Sequence, residues 1–150
     1  MKSKKQLLHD TCLAKLDESI ASLSQAIEEA RTAQKEETKS SAGDKYETTR
    51  EMMTQEIEKN SSQIANLVAD RNRLIAIGLN EASASVQQGS VVITNYGSFY
   101  LGVSIGVVIS DEVKFQTISS SSPIGHLMLN KKTGDRFLFH DKEYVIKEIS

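Results

Sequence analysis

Residues 40–51 read SSAGDKYETTRE. They interrupt two long stretches that both repeat at helical spacing. Upstream, Leu13, Leu16, Ile20, Leu23, Ile27 and Ala30 step by 3, 4, 3, 4 and 3. Downstream, Met53, Ile57, Asn60, Ile64, Leu67, Arg71 and Leu74 step by 4, 3, 4, 3, 4 and 3. Alternating steps of three and four put these residues on one stripe of a helix, the a and d seam of a coiled coil. Gly43 is the only glycine between residues 1 and 77, and no proline precedes Pro123. Two long helices joined by a turn at about residues 39–45 follow from this pattern.

Two such helices can close on each other within one chain or associate between chains. Antiparallel pairing sets Ala30 against Met53, Ile27 against Ile57, Leu23 against Asn60, Ile20 against Ile64 and Leu16 against Leu67. All these pairs centre near residue 42, inside the Ser-Ser-Ala-Gly turn. That agreement favours a self-folded hairpin over residues 1–79 and a monomer, with arms of roughly 45–50 Å at about 1.5 Å rise per residue. Asn60 and Arg71 read as polar seam residues that set register at some loss of stability, and Arg71 can also snorkel outward. Gly78 is a natural helix stop.

Residues 80–90, NEASASVQQGS, are small and polar and read as a linker. The period then changes. SVVIT (90–94), SFYLGVSIGVVIS (98–110) and EVKFQTIS (112–119) are rich in β-branched and aromatic residues, with a turn at Asn95-Tyr96-Gly97. Ser122-Pro123 marks a helix start, serine as N-cap and proline in the first turn. A Gly134-Asp135 turn leads into RFLF, HDK and EYVIKEI, a closing β-hairpin. The expected architecture is α+β: an antiparallel coiled-coil hairpin, then a small, mostly antiparallel sheet domain with one helix over residues 91–150.

Composition narrows the functions. The chain has 150 residues and a formal net charge of −2. Residues 1–80 hold twelve Lys/Arg against thirteen Asp/Glu, and residues 81–150 hold six against seven. Neither half offers a basic block for gripping phosphates. Lys2, Lys4 and Lys5 form the one basic concentration, read as a solvated terminus. Cys12 is the sole cysteine, so an internal disulfide is excluded and a reducing, cytoplasmic setting is expected. Apolar runs fall short of the roughly 18 residues of a membrane span, and no signal-peptide core is evident. His9, His126 and His140 lack neighbours at metal-ligand spacing, and no nucleophilic triad or Gly-rich phosphate loop can be argued.

At the break itself, Asp44 followed three residues later by Glu47 has two readings. The pair fits a capping box, with Asp44 at N-cap and Glu47 reaching back, where both acids also favour a helix N-terminus. The same two carboxylates could instead be a working pair at the tip.

The last thirty residues resemble the C-terminal domain of the Gre transcription factors. Ser122, Pro123, Ile124 and Gly125 match that family's helix start. Lys131, Lys132, Gly134, Asp135, Glu143, Tyr144 and Ile146 match the segments that follow. A long antiparallel coiled coil ahead of such a domain is also the Gre order. The resemblance implies an FKBP-like fold for the C-terminal domain and bacterial RNA polymerase as partner. Ser122, Pro123, Ile124 and Gly125 would lie at the polymerase-binding surface, and the hairpin would enter the secondary channel. In that family an Asp and a Glu in a Gly-Asp-x-x-Glu pattern help hold the second magnesium ion, so that the polymerase cleaves its own backtracked transcript. Gly43-Asp44-Lys45-Tyr46-Glu47 fits that pattern.

The implied protein is an elongation factor rather than an enzyme. It carries no stably bound cofactor, and Mg2+ is shared with the polymerase through Asp44 and Glu47. Thr48 stands where the family has Asn. An alignment on Tyr46, Arg50 and Glu51 would instead put Lys39 and Ala42 at the acid positions. Two alternatives accompany the cleavage reading: a channel-occupying regulator that does not promote cleavage, and a coiled-coil adaptor with no polymerase role.

Overall fold

The computed structural model describes residues 2–40, 44–79 and 83–150, with the side chains of 37–40 and 44–46 left aside. The chain is α+β: two long helices followed by a six-stranded, mostly antiparallel sheet. It packs as two compact units, Met1–Ala14 with Arg71–Ser150, and Lys15–Asp70.

Helix α1 runs Lys4–Ser40 and α2 runs Asp44–Ile77. Ser3 starts α1, its Oγ accepting the Gln6 amide at 3.1 Å and its carbonyl accepting the Leu7 amide at 3.0 Å. Gly78 ends α2: its amide still donates to the Leu74 carbonyl at 3.1 Å, and its φ of +60° then turns the chain out of the helix. In Lys15–Asp70, Leu16, Ile27, Ala30 and Asn60 are buried, and Ile20, Leu23, Met53, Ile57, Ile64 and Leu67 are half-buried between exposed neighbours. The polar Asn60 lies inside the stripe at 8% exposure. Gln34 of α1 donates to the Arg50 carbonyl at 3.2 Å and to Thr54 Oγ1 at 2.9 Å on α2.

In the other unit the strands are β1 Val91–Thr94, β2 Gly97–Gly102, β3 Val107–Ser110, β4 Val113–Ser119, β5 Arg136–Phe139 and β6 Lys142–Ile149. The order across the sheet is β3-β4-β2-β1-β6-β5. All pairs are antiparallel except β2–β4. The run 98–110 therefore does not form one strand: the chain leaves the sheet at Val103–Gly106 and re-enters as the edge strand β3. Thr117, 3% exposed, pins that crossing, its Oγ1 accepting the Ile105 amide at 2.8 Å and donating to the Gly106 carbonyl at 2.6 Å.

Strand alternation divides the side chains between two faces. Val92, Phe99, Leu101, Ile118 and Ile146 join Val86, Phe137, and Ile124 and Met128 of helix α3 (Pro123–Met128) in one core. Val86 falls in the segment read as a linker. Its amide donates to the Lys131 carbonyl at 2.8 Å and its carbonyl accepts from Asn130 at 2.9 Å, so it closes the core rather than tethering two halves. The opposite face carries Tyr100 and Gly102 and meets the ends of the helices. A Cβ on Gly102 would stand 3.3 Å from Ile77 Cδ1. Leu8, Cys12 and Leu74 are buried there at 0–1% exposure. The sequence reading drew its boundary after residue 79; by packing, the helix ends belong with the sheet.

Two features brace the sheet. Asn95 holds a strand irregularity between β1 and β6, donating from Nδ2 to the Glu143 carbonyl at 3.0 Å and accepting the Val145 amide at 2.8 Å. Tyr144 stacks on Phe137 (centroids 5.1 Å apart) and meets Tyr96 edge-on at 4.9 Å.

Candidate functional site

Two places carry the residues singled out by sequence: the start of α2 and the start of α3. At the first, Asp44 opens α2. Gly43 lies outside the described residues, as does the Asp44 side chain, and with it the reciprocal capping contact. Glu47, three residues on and therefore on the same helical face, is exposed. It shares a shallow surface depression with Arg50, Glu51 and Thr54, next to the point where Gln34 holds the two helices together. Lys39 and Ala42, the alternative acid positions, also fall outside the described side chains. Among the described residues no group of three or more His, Cys, Asp or Glu is placed to hold a metal. Magnesium takes one or two protein carboxylates and completes its shell from water and phosphate oxygens; Glu47 is an exposed carboxylate.

At the second place the four motif residues have distinct jobs. Ser122 caps α3: its Oγ accepts the Gly125 amide at 3.1 Å and donates to the Ser119 carbonyl at 2.6 Å. Pro123 occupies the first turn, where a missing N–H costs nothing. Ile124, 8% exposed, belongs to the core. Gly125 is needed for space, because an added Cβ would fall 2.0 Å from the Ser119 carbonyl oxygen. Of the four, only Pro123 is exposed; His126 and Leu127 continue that outer surface. Downstream, the Lys132–Asp135 turn closes through the Asp135 carboxylate, which accepts the Lys132 amide at 2.8 Å.

The histidines remain apart. His140 is exposed in the β5–β6 turn, its ring 4.0 Å from that of Phe139. His9 is a surprise. It is buried at 8% exposure, and its Nε2 lies 3.1 Å from the Leu74 carbonyl. A carbonyl can only accept, so Nε2 carries the proton. It precedes Cys12 by three residues and Leu16 by seven, a helical spacing that shares their face and was a usable signal.

Sequence reasoning also missed an interior polar group. Tyr100 is 1% exposed and its hydroxyl has no hydrogen-bond partner among the described residues. Burial, and to a lesser extent the nearby Cys12, push its phenol well above the usual tyrosine range.

No helix among the described residues is long and apolar enough to cross a membrane. Compared with models of known families and with curated proteins, the chain matches none.

Proposed function

We propose that this chain is a Gre-like accessory factor of bacterial RNA polymerase. In this reading α1 and α2 form an antiparallel coiled-coil hairpin that enters the secondary channel. The sheet unit is FKBP-like and docks outside it. The observation that carries the reading is the position of the acidic pair. Asp44 opens α2 and Glu47 is exposed one turn later, two and five residues past the centre of the helix contacts in sequence. His9 with Leu74 centres between residues 41 and 42, and Gln34 with Arg50 centres on 42. These contacts support the antiparallel register that the heptads imply.

A hairpin suits the task because it is long and thin, and its tip can bring carboxylates to a metal held mainly by the enzyme. A second divalent ion at such a site neutralises charge developing on the phosphoryl oxygens. Glu47, and Asp44 by its sequence position, would supply the extra carboxylates, and the chain alone would have no cleavage activity. The docking surface is centred on Pro123, which Ser122 positions and which Ile124 and Gly125 anchor from within.

The test is co-migration with bacterial core RNA polymerase in gel filtration, with light scattering on the free chain. Binding by a free monomer, weakened by Pro123→Glu, is the expected result. Self-association without polymerase binding would instead favour an adaptor built on the coiled coil.

A further inference from the structure

One edge of the sheet is left open by the described residues. Strand β5 is the outermost strand there and pairs only with β6. The Ile146 amide donates to the Asp135 carbonyl at 3.0 Å, and bonding alternates along an antiparallel ladder. Phe137 and Phe139 therefore bond to β6, while Arg136 and Leu138 turn their N–H and C=O groups outward. Those four groups have no partner among the described residues. Sheet edges are commonly blunted by a bulge, a proline or a covering loop. This one instead carries Leu138 at 68% exposure. A groove of about 290 Å³ lies along it, lined by Arg136, Phe137, Leu138 and Glu143.

We propose that a second copy of this chain pairs at this edge, β5 against β5 and antiparallel, about a two-fold axis at Phe137. Charge and bonding select that register. Centring on Phe137 sets Arg136 opposite the second copy's Leu138 and bonds all four outward groups of each strand. Centring on Leu138 leaves the Arg136 groups unbonded, and centring on Arg136 opposes two like charges. In the chosen register the outer face reads Glu143, Leu138, then the second copy's Arg136 and Val145. Each arginine stem covers the other copy's exposed leucine. Its guanidinium, 3.2 Å from its own Glu143, is also within reach of the other copy's Glu143. On the opposite face the stacked Tyr144 and Phe137 rings continue into their symmetry mates. Strands of four residues bury less than the roughly 1,200 Å² of a lasting complex, so the Kd is on the order of 0.1–1 mM. At micromolar concentration the chain is a monomer. The pairing uses neither Pro123 nor Glu47 and is independent of polymerase binding.

The experiment is sedimentation equilibrium of the full chain from about 20 μM to 2 mM, with heteronuclear NMR spectra over the same series. The mass is expected to rise from one chain toward two. The amides that shift on dilution should be those of β5 and of Glu143. Arg136→Glu lines the joint with acids and should weaken pairing about tenfold, and the charge swap Arg136→Glu/Glu143→Arg should restore it to within about threefold. Leu138→Pro removes an outward N–H without touching a bond to β6 and should abolish pairing, its fold being checked by the same spectra. A mass that stays at one chain at about 2 mM, growth past two chains, or dilution shifts on α1 or α2 instead of β5 would each overturn the assignment. So would undiminished pairing in Arg136→Glu, or a charge swap that fails to restore it.

Discussion

His9 Nε2 donates to the Leu74 carbonyl across 3.1 Å, joining the first turns of α1 to the last turn of α2 although 65 residues separate them. The contact fixes the helix ends relative to each other where they meet the sheet. Leu74 also precedes Gly78 by one turn, and its carbonyl accepts that residue's amide too. One oxygen therefore both ends α2 and receives α1. His9→Ala removes the buried ring and the bond, and is expected to lower unfolding stability by about 2 kcal/mol. Urea denaturation of the two proteins checks this.

Gly125 has no room for a side chain. Its missing Cβ is what lets α3 approach the Ser119 carbonyl. Gly125→Ala is expected to cost about 3 kcal/mol, since backbone rather than a pliable side chain occupies the space. In contrast, Ser122→Ala loses one cap, at about 1 kcal/mol. A thermal melt that ranks these two in the opposite order would contradict the packing described for α3.

Tyr100→Phe should stabilise the protein. The hydroxyl is buried without a partner among the described residues, so its removal recovers a desolvation cost of about 1 kcal/mol at neutral pH. The benefit grows in alkali. The unfolded phenol ionises near pH 10 while the folded one, its pKa raised, stays protonated. Above that pH the unfolded state binds fewer protons, and wild-type stability falls by about 1.4 kcal/mol per pH unit from this group. Stability curves of wild type and Tyr100→Phe should therefore diverge above about pH 10 and run parallel below about pH 9.

Asn60, buried in the apolar stripe, should behave as a register device. Asn60→Leu is expected to raise the unfolding midpoint by an amount equal to about 1 kcal/mol while loosening the specificity of helix pairing. Light scattering over a concentration series would reveal the second effect as new oligomers.

The helices were readable because heptad spacing is local: each seam residue announces its face through neighbours three and four positions away. Ser122-Pro123 was readable for the same reason. The parallel β2–β4 pair was not. Ser98 and Phe115 meet only because the chain leaves the sheet after Gly102, and the apolar run from 98 to 110 conceals that departure. Val86 stood alone among small polar residues, so its burial depended on hydrogen bonds to Lys131 and Asn130, more than forty positions away. At the candidate site the spacing of Asp44 and Glu47 was legible, and so was their ambiguity. A capping box and a pair of metal-directed carboxylates require the same residues at the same distance in sequence.

The most direct measurement is transcript cleavage in a backtracked elongation complex of bacterial RNA polymerase, comparing wild type with Asp44→Ala/Glu47→Ala. The account predicts Mg2+-dependent shortening of the transcript with wild type and its loss, by about a hundredfold or more, in the double variant while polymerase binding persists. Wild-type protein that binds without promoting cleavage would contradict it and leave a regulator that only occupies the channel.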